Sequence, residues 1–267
     1  MRLRPIAAIA LRQLYLMRSS PVRVLPMIAW VAVDIVLWGF IARYLNSVTA
    51  AGINFTASLL GAVLFWDFFT RVMQGVTMAF FEDVWSRNFI NVFASPLLIS
   101  EYLSGLVLTG IATSLVGLIV MLIVAAAIFG LQFAVLGLLL IPFLLVLFLF
   151  GIALGMLASA MVLRLGPASE WLIWPIPALL SPFVGVFYPL STLPSWMRGI
   201  GHLLPPSYVF EALRSLVAGG GYHGDALLLA VALAVLYVLL AAWAFTAVHR
   251  YAVRSGLLAR YSAESVN

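Results

Sequence analysis

The sequence predicts an all-α integral membrane protein: six transmembrane helices, an N-terminal interfacial helix, an amphipathic cytoplasmic helix and short re-entrant outer helices between spans 5 and 6. Three observations predict it. Of 267 residues, 65% are hydrophobic and only 9% are charged, against about 25% charged in ordinary soluble domains. A soluble chain of this size has no room to hide that much apolar side chain, so lipid is its solvent. The apolar runs reach the roughly 20 residues that a helix needs to cross hydrocarbon. They are also too long and too evenly apolar for barrel strands. The whole chain, 1–267, reads as one transmembrane domain.

Residues 1–23 carry five Arg with apolar residues between them, and Leu3, Ala7, Leu11 and Leu14 recur at near-helical spacing. That pattern suits a short helix lying on the membrane surface; a basic, frayed terminus is the alternative. Arg12 and Arg18 break the apolar stretch after Arg4, unlike a signal peptide. Span 1 is expected at 25–44, interrupted by Asp34, and span 2 at 57–80, containing Asp67 and Arg71. A polar segment follows, with Val84, Trp85, Phe89, Ile90 and Phe93 alternating with charged and amide residues; its period is helical and amphipathic, and it is placed at 82–99. Tyr102 to Leu163 contains no formal charge over 62 residues, which fits two spans, 103–129 and 133–163, with a turn near Gly130. Span 5 is expected at 171–190, rich in Pro (Pro175, Pro177, Pro182, Pro189), and span 6 at 226–248. Between them, 194–218 is half apolar and broken by Pro194, Pro205 and Pro206, giving pieces too short to span.

The positive-inside rule gives the orientation. With the N-terminus in the cytoplasm, ten Arg fall inside (2, 4, 12, 18, 23, 87, 164, 250, 254, 260) and three outside (43, 198, 214). Both termini are then cytoplasmic, in a multi-pass protein of the cell (inner) membrane.

What the chain lacks excludes several chemistries. All fourteen basic residues are Arg. A P-loop needs a Lys to reach the β- and γ-phosphates, so this chain has no nucleotide site of that kind. No Schiff-base lysine is available either. Without Cys there are no disulfides and no thiolate metal sites. His202, His223 and His249 are too scattered for a zinc helix, and no G-x-S-x-G elbow exists. No catalytic residue, metal site or cofactor is expected on this chain. The Arg residues flank apolar segments, so the net charge of +5 points to anionic lipid as a partner and not to nucleic acid.

Asp34, Asp67 and Arg71 lie inside spans. Asp67 and Arg71 are four apart on one helix face, acid first, and so can pair. Charges at this depth face protein or a wet cavity. Two readings stand: a polar lining of a translocation path, or a salt bridge that fixes spans 1 and 2, with Asp34 packed toward Arg71. Gly151 and Gly155 form a G-x-x-x-G, and Gly105, Gly110 and Gly117 line span 3. Close helix approach explains them, as does the general abundance of Gly in membrane helices. Aromatic residues crowd spans 1 and 2 (Trp30, Trp38, Phe65, Trp66, Phe68, Phe69). They suit an amphiphile, a lipid-linked glycan or a hydrophobic drug, and equally lipid contact.

Two segments resemble ABC type-2 permeases. The first is Phe81-Glu82-Asp83, then Asn88-Phe89-Ile90, Ala94-Ser95-Pro96, and Glu101-Tyr102 with Gly105. It is similar to that family's cytoplasmic loop, in which an amphipathic coupling helix sits in a groove of the ATPase subunit. Where the family usually has Gly-Thr, this chain has Ser86-Arg87-Asn88. The second is Tyr188-Pro189, Leu193-Pro194-Ser195-Trp196, Leu204-Pro205-Pro206-Ser207-Tyr208, and Glu211-Ala212 with Arg214. It is similar to the family's re-entrant outer helices. The resemblance implies roles for matched residues: ATPase coupling at Glu82, Asp83, Arg87, Asn88, Phe89, Ser95, Pro96 and Glu101, and an outer gate at Pro189, Pro194, Trp196, Pro205, Pro206, Tyr208, Glu211 and Arg214. It implies a permease subunit of an ATP-driven exporter, paired with a second permease as a homodimer. Two copies of an ABC ATPase would bind the ATP and Mg. Asp34, Asp67 and Arg71 would line the path. An ion-coupled secondary transporter using those three residues is the alternative.

Overall fold

A computed structural model describes residues 2–19, 21–48, 55–86, 91–92, 95–130, 140–220 and 224–257. They form nine α-helices: α1 (Leu3–Ser19), α2 (Pro21–Val48), α3 (Phe55–Trp85), α4 (Ile99–Phe129), α5 (Leu140–Leu165), α6 (Ile176–Val184), α7 (Ser195–Leu203), α8 (Pro205–Val217) and α9 (Gly224–Arg254). Among the described residues, four helices are long and apolar enough to cross a membrane, within α3, α4, α5 and α9. The 28-residue α2 is a fifth long helix and contains the first expected span. The protein is a multi-span α-helical membrane protein.

The central helix is α3, the most buried of the four. Glycine explains how its neighbours come so close. A Cβ at Gly155 would sit 2.8 Å from the Met73 carbonyl oxygen, and one at Gly151 would sit 2.8 Å from Val72. On the opposite side, a Cβ at Gly75 would lie 3.0 Å from the Gly110 Cα. At Gly110, Gly151 and Gly155 these contacts favour the reading of close backbone approach, which supplies the van der Waals contact that replaces hydrophobic driving force in lipid, whereas Gly105 and Gly117 meet side chains of Ile9 and Arg71. Aromatic stacking fills the remaining space: Phe69 on Phe150 with ring centroids 5.7 Å apart, and Phe150 edge-on to Tyr237 at 5.1 Å. Hydroxyls within the spans donate back to carbonyls one turn earlier, as Thr77 does to Met73 and Ser159 to Gly155. These hydroxyls thus enter apolar helices with their donors met.

The helices define two ends. At the basal end, α1 and the starts of α2 and α4 meet the ends of α3, α5 and α9; Arg164 lies over the Tyr251 ring there. At the distal end, Arg43 of α2 donates to the Ile128 carbonyl and covers the Phe129 ring. Gly130, at φ 64°, terminates α4 in the left-handed region at the expected turn. Residues 131–139, which include the start of expected span 4, lie outside the described residues.

Two boundaries differ from expectation. The fifth span is not one helix over 171–190. It is a 3₁₀ segment (Pro167–Leu172), a three-residue turn, and the nine-residue α6, which stops at Gly185 with φ 66°. Pro175 and Pro177 lack the N–H groups that would continue the ladder, and nine residues rise only about 14 Å. The amphipathic segment also does not begin at Glu82. Glu82 to Trp85 continue α3, Ser86 is a turn, Asn91 and Val92 are helical, and Ser95 and Pro96 are bends before α4. Two short helices, α7 and α8, occupy 194–218, separated at Leu204.

Candidate functional site

A cavity of about 710 Å³ runs along one face of α3. Asp67, Arg71, Gln74, Met78, Glu82 and Trp85 recur at three- and four-residue steps and line it in turn, a span of about 27 Å along the axis. From α2 come Trp30 and Asp34, from α4 Thr109 and Thr113, from α1 Gln13 and Leu16, and Trp174 also lines it. The volume is in the range of small-molecule sites.

The structure brings together the three intramembrane charges the sequence singled out. Asp34 and Asp67 both act electrostatically on Arg71. The Arg71 stem lies against Gly117, where a Cβ would come within 2.9 Å of its Cδ. Path lining and structural pairing are therefore not exclusive, since the same groups face the cavity and one another. Asp34→Ala and Arg71→Ala are expected to couple, with the double variant less destabilised than the sum of the singles by about 0.5–3 kcal/mol. Thermal unfolding of the purified variants measures this, and strict additivity refutes the pairing.

At the basal end, two ion pairs hold α1. The Arg12 guanidinium lies 2.6 Å from Asp83, whose side chain is 2% exposed. The Tyr102 hydroxyl donates to the other Asp83 oxygen at 2.8 Å. Arg2 reaches Glu101, which is fully buried, at 3.1 Å, and its backbone N–H donates to the same carboxylate at 2.8 Å. The side-chain hydrogen bond to Glu101 pushes the Arg2 guanidinium pKa further up. Glu101 also accepts from the Leu98 N–H at the start of α4. One turn before Asp83 on α3, the Ala79 carbonyl accepts from the buried Gln13 amide. Leu3, Ala7, Leu11 and Leu14, the predicted apolar stripe, face outward.

The residues assigned to coupling thus separate. Glu82 lines the cavity; Asp83 and Glu101 are buried anchors of α1. Ser95 and Pro96 are exposed at the bend, and the Pro96 carbonyl accepts from Arg2. Arg87, Asn88 and Phe89 lie outside the described residues. Reversing Glu82 and Asp83 together would mix a cavity residue with a fold residue.

At the distal end, Pro189, Pro194 and Trp196 are exposed, while Pro205 and Pro206 are buried. Tyr208 donates to the His202 carbonyl. Glu211 and Arg214 pair at 2.9 Å and together hold the stretch after α6. Glu211 accepts from the Leu190 N–H, and Arg214 donates to the Gly185 carbonyl. That stretch reaches α2 through Phe187, stacked on Trp38 at 5.0 Å.

Sequence reasoning missed Arg12, Gln13, Gln74, Tyr102 and the bond from the Trp85 indole to Glu170. Gln74 carried a local signal, its place on the Asp67–Arg71–Glu82 stripe, and Tyr102 stood beside Glu101 in the segment that carries the resemblance. The others pair across long sequence separations. Among the described residues, no group of three His, Cys, Asp or Glu is placed to hold a metal ion.

A search of the curated proteins finds no match. The sequence model of the ABC-2 type transporter family matches residues 7–217, a stretch that includes the whole cavity lining and both short distal helices. With that match over most of its length, the chain belongs to the ABC-2 type transporter family, whose members are membrane permeases.

Proposed function

We propose that this protein is the membrane-spanning subunit of an ATP-driven exporter. It would move a hydrophobic, amphiphilic or lipid-linked substrate outward, powered by a separate ATPase. The observation that carries the reading is family membership in a chain without a single lysine. Such a chain has no P-loop of its own, so ATP and Mg belong on a partner. Two permeases, as a homodimer, would sit above two ATPase subunits. The basal end would face the cytoplasm, placing both termini there in the inner membrane.

The path of coupling follows α3, which is one unbroken helix from the cavity charges to Trp85. A displacement of the segment beyond Ser86 would reach Glu82, Arg71 and Asp67 along that rod. The exposed stripe of α1 would lie in the inner-leaflet interface. The distal helices α7 and α8 would dip into the outer leaflet, with the Glu211–Arg214 pair fixing the outer gate.

Co-expression with a candidate P-loop subunit tests this. The expected result is a co-purifying complex that hydrolyses ATP. A folded permease that forms no complex with any such subunit refutes it. The cluster of Asp34, Asp67 and Arg71 keeps a second reading in play, a proton-coupled transporter. Transport driven by a pH gradient with no ATPase present would favour that one.

A further inference from the structure

We infer that the α3 cavity selects lipophilic organic cations. The inference rests on reading the chain as a permease and names the substrate class of the same site. Three carboxylates line the cavity, Asp34, Asp67 and Glu82, against one guanidinium, Arg71. Among the described residues, Arg12 is a second basic group close by; it is not in the lining and is already paired with Asp83. The described lining therefore carries a formal net negative charge. In a cleft walled by apolar side chains, field lines are focused and the local concentration of cations rises. An anionic headgroup, such as the phosphate of a lipid-linked glycan, would be repelled by the same lining.

The remaining lining says what kind of cation fits. Trp30, Trp85 and Trp174 are also part of the lining. Indole faces attract cations, most strongly where water is excluded. The rest of the wall is mainly apolar, from Leu16, Met78 and Ala79. A small inorganic ion would gain little from rings and methylenes. A bulky cation with an apolar body would use both. The carboxylates are spread from Asp67 to Glu82 along the helix, so charge compensation is available at more than one depth of the slot.

The natural absence of cysteine allows a direct measurement of the field. Gln74, between Arg71 and Met78 on the lining, is replaced by cysteine in the full-length chain, purified in a neutral detergent. The thiolate is then reacted with a trimethylammonium-ethyl or a sulfonatoethyl methanethiosulfonate. Each forms a mixed disulfide and releases methanesulfinate. The ratio of the two rates is compared with the ratio for 2-mercaptoethanol in the same buffer.

The expected result is a ratio shifted about tenfold or more toward the cationic reagent. Asp67→Asn or Asp34→Asn, added to Q74C, should return it several-fold toward the free thiol. Tetraphenylphosphonium should slow the labelling saturably, and tetraphenylborate, its anionic counterpart in shape, should not. A preference for the sulfonate reagent, a ratio that neither substitution moves, or a thiol that neither reagent reaches overturns the proposal. Should the acidic variants not fold, the Q74C ratio and the phosphonium protection decide alone. The readouts need no ATPase. A missing ATPase partner would sink the permease reading and leave the ratio intact; equal reactivity would sink the cation preference and leave complex formation intact.

Discussion

Asp83→Ala is expected to lower the apparent melting temperature of the purified protein by on the order of 10 °C. The carboxylate is buried, and it holds both the Arg12 guanidinium and the Tyr102 hydroxyl. Truncating it leaves a partly buried guanidinium without its counter-ion, and breaking such a pair costs about 3–5 kcal/mol. For a chain of this size each kcal/mol moves the midpoint by about 2–4 °C. Tyr102 is fully buried, so its hydroxyl also loses its acceptor with no water to replace it. Removing both charges, in Arg12→Ala with Asp83→Ala, should cost less than the two single losses combined. Thermal scanning by size-exclusion chromatography measures all three variants. An Asp83→Ala protein as stable as the parent would show that the ion pair does not hold α1.

Gly155→Val should prevent accumulation of monodisperse, folded protein. Even the first carbon of a side chain at 155 would lie 2.8 Å from both the Met73 carbonyl oxygen and the Val76 Cβ. The first of these is backbone inside α3, so it cannot rotate away. The interhelical distance has to grow, and α3 is already closed in by α4 on its other side, through Gly75 and Gly110. Overpacking of this kind costs about 1–3 kcal/mol per site and more where no neighbour can yield. Gly199→Val is the control, because a Cβ there meets nothing within 4 Å. Equal yield and monodispersity for the two variants would contradict the packing argument.

How much could be read beforehand differs by element. The helices α3, α4, α5 and α9 were legible because lipid demands long, uncharged runs, and few other folds supply them. The short α7 and α8 were legible from their prolines, which mark where a ladder must stop. The fifth span was not, since four prolines leave open whether a segment kinks and continues or breaks; here Pro175, Pro177 and Gly185 break it. The end of α3 was misplaced because Glu82 and Asp83 read as the start of the separate amphipathic helix expected at 82–99. Burial of Asp83 requires Arg12, and nothing local links residues so far apart. At the site, the charges Asp34, Asp67 and Arg71 announced themselves by their cost in lipid. Gln13, Thr109 and Thr113 did not, because uncharged polar residues enter membrane helices at little cost once they bond a carbonyl.

The two anchors of α1 have a mechanical consequence. Asp83 and Glu101 stand at the two roots of the segment that joins α3 to α4, and both are bolted to a single short rod through Arg12 and Arg2. The separation of those roots is thereby fixed by the pitch of α1 and not by the slack of the connecting chain. Under the proposed coupling, a load applied to the connection would not be absorbed by spreading its roots. It would be passed on as torque to the α1–α3–α4 block as a whole, and the wall of the slot would turn with it.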